Sequence, residues 1–295
     1  MSSDPTVQTG PYLDVVSQTS KAPGLTLTRT EMTTIASSSN AAGQSRWLLR
    51  PRPNPSATLR LFCFPYAGVG ASAYRTWHTA FPANVELNLV QPPGREGRWS
   101  EKPLGRVAVL AASAADALAP ALSRPFAFFG HSLGALVSFE VARELRRRGQ
   151  PMPLHLFVSA HRAPQLANPH PPLRGLSDSE FVTQLCEQYG GIPQAVLDDR
   201  DLLDLMLPCL RADFNAFETY TCVDGTPMPC GISAFGGRQD RRVREFELDG
   251  WRQQTRGAFK LTMFDGNHFF LQSSCDALLA AVAADLEMIA AGAIR

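Results

Sequence analysis

Three short segments of this chain carry side chains that could act together in nucleophilic chemistry. Ser132 lies at the centre of G-H-S-L-G at residues 130–134, Asp240 follows a Gly-Gly turn, and His268 lies in G-N-H-F-F at residues 266–270. A serine hydroxyl is a weak nucleophile until an adjacent base accepts its proton, and a carboxylate orients that base. The order serine, acid, base along the chain predicts that Ser132, Asp240 and His268 form a catalytic triad.

The residues around Ser132 predict the local structure that such a nucleophile needs. The apolar run P-F-A-F-F at residues 125–129 has the length of a strand, and apolar residues recur with helical spacing over residues 135–148. Three arginines at 146–148 and then Gly149 indicate the end of that helix. A strand is therefore expected to enter Ser132 and a helix to leave it, which is the strained turn typical of a G-x-S-x-G serine.

Attack by such a serine on a carbonyl also needs donors for the oxyanion that forms. The backbone N–H of Leu133, directly after the nucleophile, is one candidate. The Gly-rich turn P-Y-A-G-V-G at residues 65–70 follows an expected strand at residues 59–64 and should supply the second donor. We expect that donor to be the backbone N–H of Ala67.

Other residues could compete for the roles of acid and base. Asp265 lies three residues before His268, so it is on the same loop and would have to curl back to the far ring nitrogen; Asp240 is therefore favoured. His131 is beside the nucleophile, but its side chain should point away from the attacking atom, which favours a packing role. Surface or structural roles are expected for the remaining histidines, which are His78, His155, His161 and His170.

Length and composition favour a single catalytic domain. The chain has 295 residues, of which 44% are hydrophobic and 19% charged, enough to bury a full core. Its formal net charge of +1 and the lack of a long basic block argue against nucleic acid as a partner. It has neither an N-terminal signal pattern nor a run of 18 apolar residues, so no membrane association and a cytoplasmic location are expected.

The cysteines favour a reducing compartment. The six cysteines, at positions 63, 186, 209, 222, 230 and 275, show no C-x-x-C and no spacing typical of a metal site. Cys222 and Cys230 could pair across a loop, but free thiols are favoured. No metal ion is expected.

The order of elements predicts an α/β fold. Residues 1–45 are rich in Ser, Thr, Gln and Asn and are predicted to be a disordered arm, while residues 46–295 form the folded domain. Strands are predicted at residues 59–64, 85–90, 126–129, 154–159, 232–235 and 259–264. Helical stretches separate most of them, which is typical of a doubly wound, mostly parallel sheet. Together with the G-x-S-x-G turn, this alternation predicts an α/β-hydrolase.

One helical segment, at about residues 173–220, interrupts this alternation and is predicted to be an inserted lid. Ser177 and Glu180 form a capping box before its first helix, and Pro208 is expected to interrupt the second. Apolar side chains of such a lid could form the wall of a pocket for an acyl chain. The predicted substrate-binding residues are Met206, Phe214 and Phe217 on this lid, together with Tyr66 in the Gly-rich turn.

Ten motifs between residues 59 and 287 together resemble those of one family, the type II thioesterases that accompany polyketide synthases and nonribosomal peptide synthetases, which are relatives of the fatty-acid-synthase thioesterase. The motifs are F-P-Y-A-G (64–68), Q-P-P-G-R-E (91–96), G-H-S-L-G (130–134), R-A-P (162–164), L-S-D (176–178), Y-G-G-I-P (189–193), L-P-C-L-R-A-D (207–213), G-G-R-Q-D (236–240), W-R-Q-Q-T (251–255) and G-N-H-F-F-L (266–271). Departures from the family pattern occur at Val69, Leu133, His161 and Asn267. They leave the chemistry intact, because the reaction needs only the backbone at Leu133 and because Asn tolerates left-handed backbone.

The resemblance implies an enzyme that hydrolyses acyl groups from the phosphopantetheine arm of acyl or peptidyl carrier proteins, and so removes aberrant or stalled chains. It implies the same triad and no metal or redox cofactor. Because carrier proteins of these pathways are generally acidic, we expect a basic rim at Arg241, Arg242 and Arg244. The alternative for these three residues is a solvated arginine cluster with no docking role. A monomer is expected.

Two other functions stay open at this point. One is a product-releasing thioesterase, either a medium-chain acyl hydrolase or a macrocyclase, which would need a larger pocket and a preference for one long chain. The other is a catalytically silent hydrolase fold that acts as a binding partner.

Overall fold

A seven-stranded sheet forms the centre of the computed structural model, which describes residues 45–190, 192 and 194–292. Residues 1–44 of the predicted arm lie outside the described part of the chain. The strands are β1 (Leu48–Leu49), β2 (Leu59–Phe64), β3 (Val85–Val90), β4 (Phe126–His131), β5 (His155–Ser159), β6 (Gly231–Gly237) and β7 (Phe259–Phe264). Their order across the sheet is β1-β3-β2-β4-β5-β6-β7, and all neighbours are parallel except β1 and β3.

The predicted mostly parallel sheet is thus confirmed, with small differences in its strands. β4 continues to His131 and β6 to Gly237, so both reach further toward the catalytic turns than their apolar runs indicate. The sequence did not predict β1, because two residues are too few to show the alternation of a strand. The interior strands β4 and β5 are buried along their whole length, as expected of parallel strands covered on both faces.

Helices cover the two faces of the sheet and bury alternate strand residues. Phe62 and Phe128 point to the face covered by α1 (Val107–Leu118) and α2 (Leu133–Arg147). Leu61 and Phe129 point to the other face, covered by a 3₁₀ helix (Ala71–Thr79) and the C-terminal helix. Each face therefore has its own apolar core.

Three helices follow β5 and precede β6: α3 (Asp178–Tyr189), α4 (Gln194–Leu197) and α5 (Arg200–Glu218). They form a third apolar cluster around Phe181 and Phe214. Ser177 and Glu180 make the capping box, and Asp199 caps α5. The predicted interruption at Pro208 is wrong, because α5 runs through it. Pro208 and Asp204 are exposed, so water can reach the carbonyl of Asp204 that loses its helical partner.

The remaining helices lie toward the C-terminus. They are α6 (Glu245–Asp249), α7 (Phe270–Ser273) and α8 (Cys275–Ala290), and further 3₁₀ turns span Glu96–Arg98, Ala119–Ala121 and Gly250–Gln254. Within the described residues, no helix combines the length and the apolar composition needed to cross a lipid bilayer. All six cysteines are free thiols.

Candidate active site

Ser132 lies at a sharp turn between β4 and α2. Its backbone has φ +52° and ψ −121°, a rare conformation for a residue with a side chain, and its N–H donates to the carbonyl of Ser159 at 2.7 Å. The two glycines of the motif permit the close approach of the chain. A Cβ at Gly130 would lie 2.2 Å from the Gly134 oxygen, and one at Gly134 would lie 2.2 Å from the Phe64 oxygen. The strained turn predicted around Ser132 is therefore present.

The structure brings the three predicted triad residues together. The Nε2 atom of His268 lies 3.1 Å from Ser132 Oγ, and its Nδ1 atom lies 2.8 Å from Asp240 Oδ2. Ser132 follows β4, Asp240 follows β6, and His268 follows β7, so parallel strand ends position all three. Asp265 instead points to solvent, with its carboxylate 87% exposed and 3.8 Å from Arg238. This geometry is that of a nucleophile, its base and the carboxylate that orients the base.

The surroundings of Asp240 keep its carboxylate charged. Burial alone would raise its pKa, but the charge of His268 and the hydrogen bond from it act in the opposite direction. The backbone N–H groups of Arg242 and Val243 also donate to Oδ1, at 2.8 and 3.3 Å. The net result is a pKa below the ordinary value. An ionised Asp240 can hold the His268 ring with its Nδ1 protonated and its Nε2 free to accept the serine proton.

His131 packs under the triad rather than joining it. It is completely buried, its Nδ1 is 2.8 Å from Ser159 Oγ, and its ring centroid is 5.5 Å from that of His268. Burial holds the pKa of His131 well below its usual value, so the ring is neutral. It therefore supports the position of His268 without adding a charge beside it.

Both predicted oxyanion donors border the cleft above Ser132. Leu133 and Ala67 line the same cavity as Ser132 and His268. Leu133 is the first residue of α2, so its N–H is one of those that a helix leaves without an internal partner. Ala67 lies in the turn after β2 and lines the same cleft. The arrangement can hold a carbonyl oxygen between two backbone donors.

A largely apolar chamber extends from Ser132. It encloses about 820 Å³, counted to its open mouth. All four predicted substrate-binding residues, Tyr66, Met206, Phe214 and Phe217, line it. The sequence reasoning missed further lining residues: Leu185, Tyr189, Ile192, Leu210 and Val243. The helical spacing of Leu185 and of Leu210 marks them as buried, but spacing alone does not distinguish a chamber wall from a core.

The predicted basic rim is wrong in one of its three residues. Arg242 is only 7% exposed, and its guanidinium donates to Gln188 Oε1 at 2.7 Å and to the Tyr189 hydroxyl at 2.9 Å. It connects α3 to the loop that carries Asp240. Arg241 and Arg244 are exposed. The backbone N–H groups of Arg242 and Val243 both bind the Asp240 carboxylate, and this draws the Arg242 side chain inward. The positive charge of Arg242 in the sequence does not predict this burial.

The fold and the site together define a serine hydrolase of the α/β-hydrolase class. Comparison with known proteins gives the family: the thioesterase domain family matches residues 59–286, so this chain belongs to it. It is an enzyme that acts on thioesters.

Individual relatives agree with this assignment. The gramicidin S biosynthesis protein GrsT of Aneurinibacillus migulanus is 41% identical over 230 residues, covering 78% of this chain and 90% of GrsT. The solved structure of the RedJ thioesterase of the prodiginine pathway in Streptomyces coelicolor is 38% identical, with a TM-score of 0.75 and coverage of 83% and 96%. The structure of YbtT, a type II thioesterase from the yersiniabactin NRPS/PKS pathway, is 30% identical, with a TM-score of 0.72 and coverage of 81% and 97%.

Proposed function

We propose that this protein hydrolyses acyl groups from the phosphopantetheine arm of acyl or peptidyl carrier proteins, and so removes aberrant or stalled chains from a polyketide or nonribosomal peptide synthase. The observation that carries the proposal is the assembled Ser132, His268 and Asp240 at the end of an apolar chamber. The relatives named above support the class of pathway.

The reaction follows from the geometry. His268 accepts the proton of Ser132 through Nε2 while Oγ attacks the thioester carbonyl, and the N–H groups of Leu133 and Ala67 stabilise the oxyanion. The C–S bond then breaks, and the pantetheine sulfur leaves with the proton from His268. His268 next accepts a proton from water as that water attacks the acyl-serine, and it then gives this proton to Ser132 Oγ as the ester bond breaks and the free acid leaves. These steps use no metal or redox cofactor.

The chamber fits the acyl part of such a substrate. Eight of its nineteen lining residues are Leu, Ile, Met or Phe, and these side chains favour an alkyl chain, while His161, Arg162 and Arg242 add polar groups to the wall. A thioester also lacks much of the resonance of an ester or amide, so access controls its hydrolysis more than activation does. An enzyme that admits many acyl groups through one apolar chamber suits a clearing role.

The partner we propose is an acidic carrier protein that approaches the exposed Arg241 and Arg244. Reversing both to Glu should raise KM for carrier-bound substrate several-fold and leave a small soluble thioester nearly unaffected. Equal effects on both substrates would rule out docking there. We further propose that the enzyme is a monomer. We also propose a cytoplasmic location, since six free thiols suit a reducing compartment.

The acyl preference distinguishes clearing from product release. Acetyl-, butyryl-, octanoyl- and longer acyl-carrier proteins are incubated with the wild type and with Ser132→Ala, and loss of each acyl group is followed by intact-protein mass. Broad, slow release by the wild type alone is expected. Fast release of a single long chain would instead indicate a product-releasing thioesterase, and no release from any carrier would contradict both.

A further inference from the structure

A buried ion pair joins the chamber wall to the turn that carries Ala67. The side chains of Asp213 on α5 and Arg95 are 0% and 4% exposed, and two hydrogen bonds of 2.8 and 2.9 Å connect them. This bidentate geometry fixes both the distance and the angle between the two groups. A buried ion pair often adds little stability over apolar residues of the same volume, so stability alone does not account for it.

The Asp213 carboxylate also binds the turn directly. Its Oδ2 accepts the backbone N–H of Gly68 at 2.8 Å. That N–H belongs to the peptide unit that follows Ala67, so the carboxylate fixes the orientation of this unit. Gly68 has φ +81°, and Val69 N–H bonds to the Tyr66 carbonyl at 3.4 Å, as in a type II turn. Type I and type II turns differ in the orientation of this central peptide unit, so a bond to it selects between them.

The segment Q-P-P-G-R-E at residues 91–96 supports the same turn from the other side. Arg95 Nη1 donates to the Val69 carbonyl at 3.3 Å. Further along, Gln91 Oε1 accepts the N–H of Ala71 at 2.7 Å, and Glu96 Oε1 accepts that of Gly70 at 2.9 Å. The buried pair is therefore one part of a scaffold around the oxyanion turn, and Asp213 is the part that a chamber-wall helix contributes.

We propose that Asp213 is a positioning residue for the oxyanion hole: paired with Arg95, it holds the Ala67–Gly68 peptide and so anchors the closed turn, in which the preceding Tyr66–Ala67 peptide directs its N–H toward the reacting carbonyl. This rests on the proposed function, because it says how one of the two oxyanion donors is held. Phe214 and Phe217 on the same helix line the chamber. The acyl-binding wall and the oxyanion turn are therefore one connected unit, and a displacement of α5 would lower catalysis as well as change the pocket.

The test compares Asp213→Asn with Asp285→Asn. Asp285 is an equally buried carboxylate, paired with Lys260 at 2.9 Å, and its hydrogen-bond partner Ser233 is near the start of β6, whereas Ser132 follows the end of the parallel strand β4. Three quantities are measured: kcat for a small soluble acyl thioester, inhibition by an alkyl trifluoromethyl ketone, which forms an oxyanion on Ser132, and binding of an S-alkyl carrier protein, which has no carbonyl.

Asp213→Asn should lower kcat about tenfold to a hundredfold. This reduction is at most the one expected when a whole oxyanion donor is removed. The substitution should weaken inhibition by the trifluoromethyl ketone by a similar factor. The affinity for the S-alkyl carrier should change less than about threefold. Asp285→Asn should leave all three within about twofold. A folded Asp213→Asn variant with wild-type kcat and wild-type affinity for the ketone would overturn the proposal. An equal loss of affinity for the ketone and for the S-alkyl carrier would overturn it as well.

A second variant covers the case in which Asp213→Asn does not fold. Arg95→Met with Asp213→Leu removes both charges and keeps the volume apolar, so it should fold and show the same loss of kcat. Wild-type kinetics in that variant would overturn the proposal, and so would failure of both variants to fold, since the pair would then serve the fold. Inactivity of the wild type itself would instead contradict the proposed function.

Discussion

The two sides of the active-site cleft are held by different kinds of contact. On the sheet side, Ser132, Asp240 and His268 each follow a strand, and the backbone ladder of parallel strands places them. On the helical side, α3 and α5 reach the catalytic loops through buried side chains. Arg242 bonds to Tyr189, and Asp213 bonds to Arg95 and Gly68. Backbone geometry sets the first side, and buried side-chain hydrogen bonds set the second.

The difference separates the chemistry from its control. A change on the sheet side acts on the reacting groups themselves, because the triad residues lie there. A change on the helical side acts on the chamber and on the oxyanion turn together. We therefore expect substitutions on the sheet side to lower kcat without changing the chain-length preference. Substitutions on the helical side should change that preference.

The largest expected effect is on the sheet side, at the triad acid. Asp240→Asn should lower kcat by about 10³- to 10⁴-fold, because an amide in place of the carboxylate no longer holds the productive His268 tautomer. Asp265→Asn is the control, since that carboxylate is exposed and away from the ring. Its kcat, measured by release of thiol from a soluble thioester, should stay within about twofold. A larger loss in Asp265→Asn than in Asp240→Asn would reverse the assignment of the acid.

The next effect concerns the packing of the turn around Ser132. Gly134→Ala should lower the free energy of unfolding by about 3 kcal/mol or more, because its Cβ would lie 2.2 Å from the Phe64 oxygen, a backbone atom of β2. Gly97→Ala is the matched control, since a Cβ there meets no atom within 4 Å. Urea denaturation of both variants measures the difference. Equal stability of the two would show that the turn can open at little cost.

Two buried histidines predict a loss of stability in acid. Burial lowers the pKa of His155 and of His161 to about 4. Below the ordinary pKa of 6.5, the unfolded chain binds protons that the folded chain does not, so the free energy of unfolding falls as pH falls toward 4. Each residue should contribute about 1–2 kcal/mol between pH 7 and 5.

The comparison between His161→Asn and the wild type isolates one of these contributions. Asparagine can keep the donor that His161 Nδ1 directs to the Arg162 carbonyl at 2.6 Å, but it does not titrate. Urea unfolding at pH 7 and pH 5 should show a smaller pH effect in the variant, with His78→Asn as a baseline for replacing a surface histidine. An unchanged pH effect in His161→Asn would contradict this.

The smallest expected effect is on chain-length preference. Met206→Trp narrows the chamber and should lower kcat/KM for octanoyl-carrier about tenfold relative to acetyl-carrier, since a few methylenes are worth roughly that much in an apolar pocket. Leu205→Trp adds the same side chain one position earlier, where the residue is 51% exposed. Its preference should match the wild type. A shift in both variants would place the selective wall elsewhere.

The sheet side could be predicted from the sequence because its signals are local. The apolar run before Ser132, the Gly-Gly turn before Asp240 and the glycine before His268 each lie within a few residues of the group that they position. The expected α/β-hydrolase fold follows from the same kind of signal, the alternation of strand and helix patterns. Because the strands are parallel, their carboxyl ends lie at the same end of the sheet, so the three catalytic residues are expected to lie close together.

The helical side could be predicted only in part. The helical spacing of Phe214 and Phe217 predicts that both lie on one apolar face of a lid helix, and such a face can form a chamber wall. The Asp213–Arg95 pair and the inward turn of Arg242 could not be derived, because they depend on contacts between residues far apart in the chain. Charge next to a catalytic residue favoured a surface role for Arg242, and only the packing of α3 against the acid loop shows the opposite.

The most direct test of the central claim follows the acyl group itself. Octanoyl-carrier protein is mixed with the enzyme, the reaction is stopped after short times, and the masses of carrier and enzyme are measured together. The carrier should lose the octanoyl mass as the enzyme transiently gains it on the peptide that contains Ser132, and neither change should occur with Ser132→Ala. Equal release by Ser132→Ala, or an acyl group on another residue, would contradict it.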